Sequence, residues 1–103
     1  MSLSVELLGI TLRVEFVDDL SVAYGDFDAS LLKIRLVRGL QRDSLLLTFA
    51  HELVHLKQYL YGHEMSEDQA NQDALFWYTI LKHSSLFESV WEHYQDDIRR
   101  GNS

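Results

Sequence analysis

Ser44-Leu45-Leu46-Leu47-Thr48-Phe49-Ala50-His51-Glu52-Leu53-Val54-His55-Leu56-Lys57-Gln58-Tyr59-Leu60-Tyr61 decides how this chain folds. On a helix, Leu45, Leu46, Leu47, Phe49, Ala50, Leu53, Val54, Leu56 and Leu60 cover most of the circumference, and a helix that apolar is buried. One polar stripe interrupts it: Thr48, His51, Glu52, His55 and Tyr59. Burying two histidines and a glutamate without partners costs on the order of several kcal/mol. Within the stripe, His51-Glu52-Leu53-Val54-His55 reads H-E-x-x-H. Residues i and i+4 lie one above the other on a helix face, so both imidazoles can converge on one cation. Glu52, next to the first histidine on the chain, can then face a water held by that cation. A metal in a water-filled cleft offsets the burial with the fewest assumptions. The competing reading is a hydrogen-bonded histidine pair in an ordinary helix.

Two histidines do not complete a catalytic zinc centre, which uses three protein ligands and leaves one position for water. The candidates for the third donor are His63, Glu64, Glu67, Asp68 and Asp73. Gly62 can end the first helix in the left-handed conformation. Ser66 can cap a second helix, with Gln69 completing a capping-box pattern. An antiparallel second helix then brings Glu67, in its first turn, beside the first helix, and Glu67 is the expected third ligand. Its competing role is a surface acid favoured by the helix N-terminus. Asn71 lies one turn further on the same face and is expected to accept a ring N–H from a ligating histidine. Ala70 and Ala74 keep that face thin. His63 is the rival: it can ligate if the loop folds back, or stabilise an oxyanion. The metzincin pattern H-E-x-x-H-x-x-G-x-x-H fails, because Gln58 stands in the glycine position and Tyr61 in the histidine position. His83 and His93 read as surface or helix-end residues.

Upstream, Leu8, Ile10, Leu12, Val14 and Phe16 alternate with Gly9, Thr11, Arg13, Glu15 and Val17. This period of two predicts a strand with one apolar face. Leu32, Ile34 and Leu36 alternate with Lys33, Arg35 and Val37 in the same way. Val22-Ala23-Tyr24 is expected as a third short strand and Gly25-Asp26-Phe27-Asp28 as a turn. Downstream, Ser85-Leu86-Phe87-Glu88 opens a third helix that stops at Gly101, with Phe87, Trp91, Tyr94 and Ile98 on one packing stripe. Strands followed by helices predict an α+β fold. The expectation is one domain over residues 1–103: a short mixed or antiparallel sheet of about three strands packed on the site-bearing helix, followed by two further helices.

The chain has 103 residues, of which 47% are hydrophobic, enough for one small core. A bound metal would add folding free energy to it. The absence of cysteine removes disulfides, zinc–thiolate knuckles and cysteine nucleophiles, and suits a reducing, cytoplasmic location. No run approaches the roughly 18 apolar residues of a membrane span, and Met1–Glu6 lacks the basic and apolar regions of a signal peptide. At a formal charge of −7 the chain repels phosphate backbones, so neither nucleic acid nor membrane is an expected partner. Arg35, Arg38 and Arg42 form a small basic group, read as a solvated strand end.

The pairing of His51-Glu-Leu-Val-His55 with Glu67-Asp-Gln-Ala70-Asn71 resembles the gluzincin metallopeptidases, whose H-E-x-x-H is followed by E-x-x-[AS]-[DN] on the next helix. The second string also looks like the E-x-x-A-N of ImmA/IrrE-type peptidases. The stretch His51 to Tyr59 is similar to short bacterial and phage proteins of minimal gluzincin type. The resemblance covers roughly residues 20 to 80. It implies a zincin-like domain with one zinc ion held by His51, His55 and Glu67, and Glu52 as general base. It also implies a sheet whose edge strand, here Leu32 to Val37, lies beside the cleft. Larger members carry a downstream domain with a histidine or tyrosine that stabilises the oxyanion. Here the substitutes are Tyr59, Tyr78, His63 and His83. The expected function is zinc-dependent hydrolysis of a peptide or protein substrate. The alternative is a catalytically weak or inactive zinc-stabilised interaction module acting within a larger assembly.

Overall fold

A computed structural model describes residues 2–7, 9–21, 23–63 and 66–101. The strands are β1 (Ser2–Leu7), β2 (Ile10–Val17), β3 (Gly25–Asp28) and β4 (Lys33–Val37), followed by helices α1 (Arg42–Leu60), α2 (Glu67–Leu81) and α3 (Ser85–Gly101). The α+β class is as expected, but the sheet has four strands rather than about three, in the order β1-β2-β4-β3. β1 pairs antiparallel with β2, β2 parallel with β4, and β4 antiparallel with β3.

Three strand expectations change. Leu8 of the expected strand lies outside the described residues, and the strand begins at Ile10, just after Gly9 turns the chain at φ +78°. The register Leu7↔Ile10 makes β1 and β2 a tight hairpin, so residues before the turn form a strand of their own. Val22 of the expected third strand lies outside the described residues, and Ala23 and Tyr24 are not in a strand. The strand is instead Gly25–Asp28, where glycine and aspartate signal a turn; pairing with β4 overrides the local preference. The turn comes later, where the Asp28 carboxylate accepts from the Ser30 backbone N–H at 3.0 Å and hydroxyl at 2.7 Å. Finally, β4 is an interior strand, and the edge on its side is β3.

The alternation of β2 and β4 buries Leu12, Val14, Phe16, Ile34 and Leu36 in one cluster with Leu45, Leu46, Phe49 and Leu53 of α1 and Phe87, Val90 and Tyr94 of α3. The helices therefore share one face of the sheet, as expected. Tyr94 fastens α3 to the connection between β4 and α1: its hydroxyl donates to the Val37 carbonyl at 2.6 Å and accepts from the Leu40 N–H at 2.7 Å. α1 also lies against the edge strand, and Gly25 makes that approach feasible. A Cβ at Gly25 would sit 2.7 Å from Thr48 Cγ2 and 3.0 Å from the Arg35 carbonyl oxygen.

Each arginine of the expected solvated group has an acid. Arg35 forks onto Asp26, its partner across β3 and β4; Arg38 holds Asp97 and Asp18; Arg42 holds Glu88. The α3 cap also shifts by one residue. Ser84, not Ser85, accepts the Phe87 N–H, and Glu88 reaches Arg42 rather than closing a box. Among the described residues no helix is long and apolar enough to cross a membrane.

Candidate metal centre

α1 carries the first two donors in the densest part of the fold. His51 and His55 stand one turn apart, ring centroids 4.9 Å apart and planes inclined by 74°. Their neighbours Ala50, Leu53, Val54 and Leu56 are buried, so the backbone beneath the two rings is fixed by packing.

The third donor arrives through a tight corner. Gly62 takes φ +70°, and the His63 N–H closes the end of α1 on the Gln58 carbonyl at 2.8 Å. Ser66 then caps α2, its hydroxyl accepting the Gln69 N–H at 3.2 Å. Gln69 does not complete the capping box; its side-chain amide donates to Asp73 instead, at 2.9 Å. Ala70 and Ala74 are buried, the small residues that let α2 close on α1. Glu67 thereby faces both rings: His51 Nε2 lies 3.1 Å from its Oε2 and His55 Nε2 2.9 Å from its Oε1. One donor atom from each of His51, His55 and Glu67 lies within 4.8 Å of the others, close enough to hold a metal ion.

The chemistry of the set suits a cation. A carboxylate only accepts, so each nitrogen–oxygen contact needs a proton on Nε2. A cation among the three donors replaces those protons, which is the ordinary exchange on metal binding. Two imidazoles and a carboxylate are also the donors of a known catalytic zinc type.

Glu52 is buried, at 6% exposure, on the inner side of this group. Burial first, then the charges of Glu67 and Asp26, push its carboxyl from 4.5 up to about 8. A cation at the three donors opposes that shift by favouring the ionised form. Side-chain exposure rises from 8% at His55 to 21% at His51 and 73% at Glu67. The centre therefore opens to solvent on the α2 side.

The other candidates fall elsewhere. Asn71 is exposed and shares with His51 the wall of a pocket of about 330 Å³, also lined by Leu47, Thr48, Ala74 and Leu75. It is not the partner of the His55 ring; that place is taken by Gln58, whose Oε1 lies 3.0 Å from His55 Nδ1. Gln58 is only 4% exposed. In the sequence Gln58 stands out only as a mismatch to the metzincin glycine, although a glutamine three residues after His55 shares its helix face. His63 is exposed, lies against Tyr61, and lines a different pocket with Gln69 and Asp73. Asp68 is exposed, and Glu64 lies outside the described residues. Tyr78 sits eleven positions along α2 from Glu67, packs against the core and lies under Lys82, whose Nζ is 5.9 Å from its ring. Tyr59 is one turn beyond His55 and meets Phe27 of β3 edge-on at 6.1 Å. His83 is exposed beyond α2, and the His93 ring donates to the Ser89 carbonyl at 2.8 Å.

Comparison of the chain with family models, with curated proteins and with solved structures finds no match.

Proposed function

We propose that this chain is a zinc-dependent peptidase of the minimal gluzincin, zincin-like type. One observation carries the reading: His51, His55 and Glu67 converge within 4.8 Å beside a buried Glu52. Two imidazoles and a carboxylate suit one zinc ion, and also accommodate iron, cobalt or manganese. Zinc bound there supplies Lewis acidity toward water and toward the scissile carbonyl. Glu52 accepts the proton of the attacking water on its carboxylate and passes it to the leaving amine. His51, His55 and Glu67 hold the ion, and the packed α1 backbone keeps Glu52 in register with them. Among the described residues β3 is the edge strand on this side of the sheet, and it lies beside α1. An extended peptide paired there keeps its backbone hydrogen bonds while one carbonyl faces the donors. Tyr59, against Phe27 of that strand, is the best placed of the tyrosines to donate to an oxyanion. The cysteine-free composition suits work in the cytoplasm.

The test is digestion of a mixed peptide library by zinc-loaded protein, read by mass spectrometry, alongside Glu52→Gln. Cleavage is expected from the wild type. In the variant, loss of a general base lowers the rate about 10²–10⁴-fold while zinc stoichiometry is retained. Cleavage at the wild-type rate by the variant refutes the role of Glu52, and failure of the wild type to take up zinc refutes the centre. A second reading, a zinc-stapled interaction module, is favoured by Leu75 and Phe76 of α2, each 64% exposed. It predicts that chelation lowers the melting temperature while no peptide is cut.

A further inference from the structure

We propose that Gln58 is a positioning residue of the metal centre: its one side-chain amide holds both the His55 ring and the cap residue that delivers Glu67. The proposal rests on the metal-binding reading above and goes beyond it, since it concerns how two ligands on different helices are set together.

The amide orientation is fixed by its surroundings. Gln58 Nε2 donates to the Ser66 carbonyl at 3.3 Å, and Gln58 Oε1 accepts from the Ser66 N–H at 3.4 Å. A carbonyl only accepts and a backbone N–H only donates, so turning the amide over would break both contacts. Oε1 is therefore the atom 3.0 Å from His55 Nδ1. When a cation takes Nε2 of a neutral imidazole, the remaining ring proton is on Nδ1. The two lone pairs of Oε1 then serve that proton and the Ser66 N–H.

The same contacts reach the other ligand. Ser66 is the N-cap of α2, and Glu67 follows it directly. Pinning both backbone groups of Ser66 fixes where α2 starts, and so where the Glu67 carboxylate points. His55 and Gln58 lie three positions apart on one helix face, which permits the first half of the arrangement. The reversal at Gly62 permits the second. Gln58 is cut off from solvent, so water does not readily replace what it provides.

A purely structural staple would hold the corner without acting on the histidine, and two substitutions separate the roles. Gln58→Met removes every hydrogen bond of the side chain at similar volume. Gln58→Glu keeps an acceptor for His55 Nδ1 and for the Ser66 N–H, but loses the donor to the Ser66 carbonyl. Zinc affinity is measured by competition with a chromophoric chelator, and folding by melts of the metal-free proteins. Exchange of the His55 Nδ1–H with water is followed by nitrogen-edited NMR of the zinc-loaded proteins. Loss of a partner hydrogen-bonded to a metal-ligating histidine typically weakens binding about 10–100-fold, and that loss is expected for Gln58→Met. Gln58→Glu, which keeps the bond to His55 and one of the two to Ser66, is expected to bind between the wild type and Gln58→Met, and clearly tighter than the latter. The Nδ1–H should exchange slowly in the wild type and in Gln58→Glu. Zinc binding by a folded Gln58→Met equal to wild type, or Gln58→Glu as weak as Gln58→Met, overturns the proposal. Should Gln58→Met fail to fold, Gln58→Glu affinity and the wild-type exchange rate decide. A wild-type chain that takes up no zinc overturns the centre itself, a result distinct from either of these.

Discussion

Glu52→Gln isolates what the buried carboxyl does to stability. The group is 6% exposed, and its folded-state pKa is raised from 4.5 to about 8 by burial, then Glu67, then Asp26. A raised carboxyl pKa means that the folded chain holds this proton more tightly than the unfolded chain. Below pH 4.5 both states carry it, and there is no penalty. Between about 4.5 and 8 the unfolded state ionises first, so stability falls as pH rises; above 8 both are ionised and the penalty is complete. At about 1.4 kcal/mol per unit, that gap amounts to on the order of 5 kcal/mol. Glutamine has nearly the same shape and cannot ionise. The metal-free variant should therefore be more stable than wild type by several kcal/mol at pH 8.5, and the difference should vanish near pH 4.5. In a chain of this length that difference corresponds to a melting-temperature gap on the order of 20–25 °C. Urea and thermal melts in chelator from pH 4.5 to 9 measure it. The other ionisable groups are common to both proteins and largely cancel in the difference. Saturating zinc should shrink the gap, because a nearby cation stabilises the ionised carboxylate. Parallel stability–pH curves for the two proteins in chelator would refute the reasoning.

Two further outcomes test the centre and its placement. Zinc at a thousand times its dissociation constant should stabilise the wild type by about 4 kcal/mol, roughly 15–20 °C in melting temperature; His55→Ala should gain almost nothing, and an equal gain would place the ion elsewhere. Gly25→Ala should cost about 1–3 kcal/mol in urea melts, since its Cβ meets Thr48 Cγ2 at 2.7 Å and the Arg35 carbonyl at 3.0 Å. Adding Thr48→Ser removes the closest atom and should recover part of that loss, whereas an undiminished stability in Gly25→Ala would refute the close approach of α1 to β3.

The parts legible in the sequence are those whose signal is local. The apolar surround of α1 with one polar stripe reports a helix and the stacking of His51 over His55 together, because both follow from the same periodicity. Gly62 and Ser66 report the corner through the backbone conformations they favour, and Glu67 follows from an antiparallel return. The sheet was less legible because pairing is non-local. Gly25–Asp28 has turn composition and becomes a strand only because β4 supplies its partners. The parallel pairing of β2 with β4, which makes β4 interior, leaves no trace in alternation. Gln58 is the instructive miss at the site. Its position on the histidine face was visible, but its role depends on backbone groups of Ser66, which no side-chain pattern encodes. Helical spacing brings Asn71 to the pocket beside His51, while the group at the His55 ring is Gln58 of the same helix.

The corner between His55 and Glu67 spans eleven residues and serves two opposing demands. It must be short to set a carboxylate against two rings held by the core, and its precision comes from the left-handed Gly62, the Ser66 cap and the Gln58 amide. A corner that short has little chain to spare for a lid, and Glu67 is 73% exposed on the side where substrate would enter. In a peptidase so built, little of the binding energy can come from closure over the substrate. It must come from backbone pairing along the β3 edge and from the pocket beside His51, both of which stand open before substrate arrives. Such a site favours extended chains over folded ones, because only an extended segment can satisfy a sheet edge while presenting a carbonyl to the donors. Denatured or disordered polypeptides should accordingly be cut faster than the same sequences folded, and equal rates on the two forms would argue against the edge strand as the substrate track.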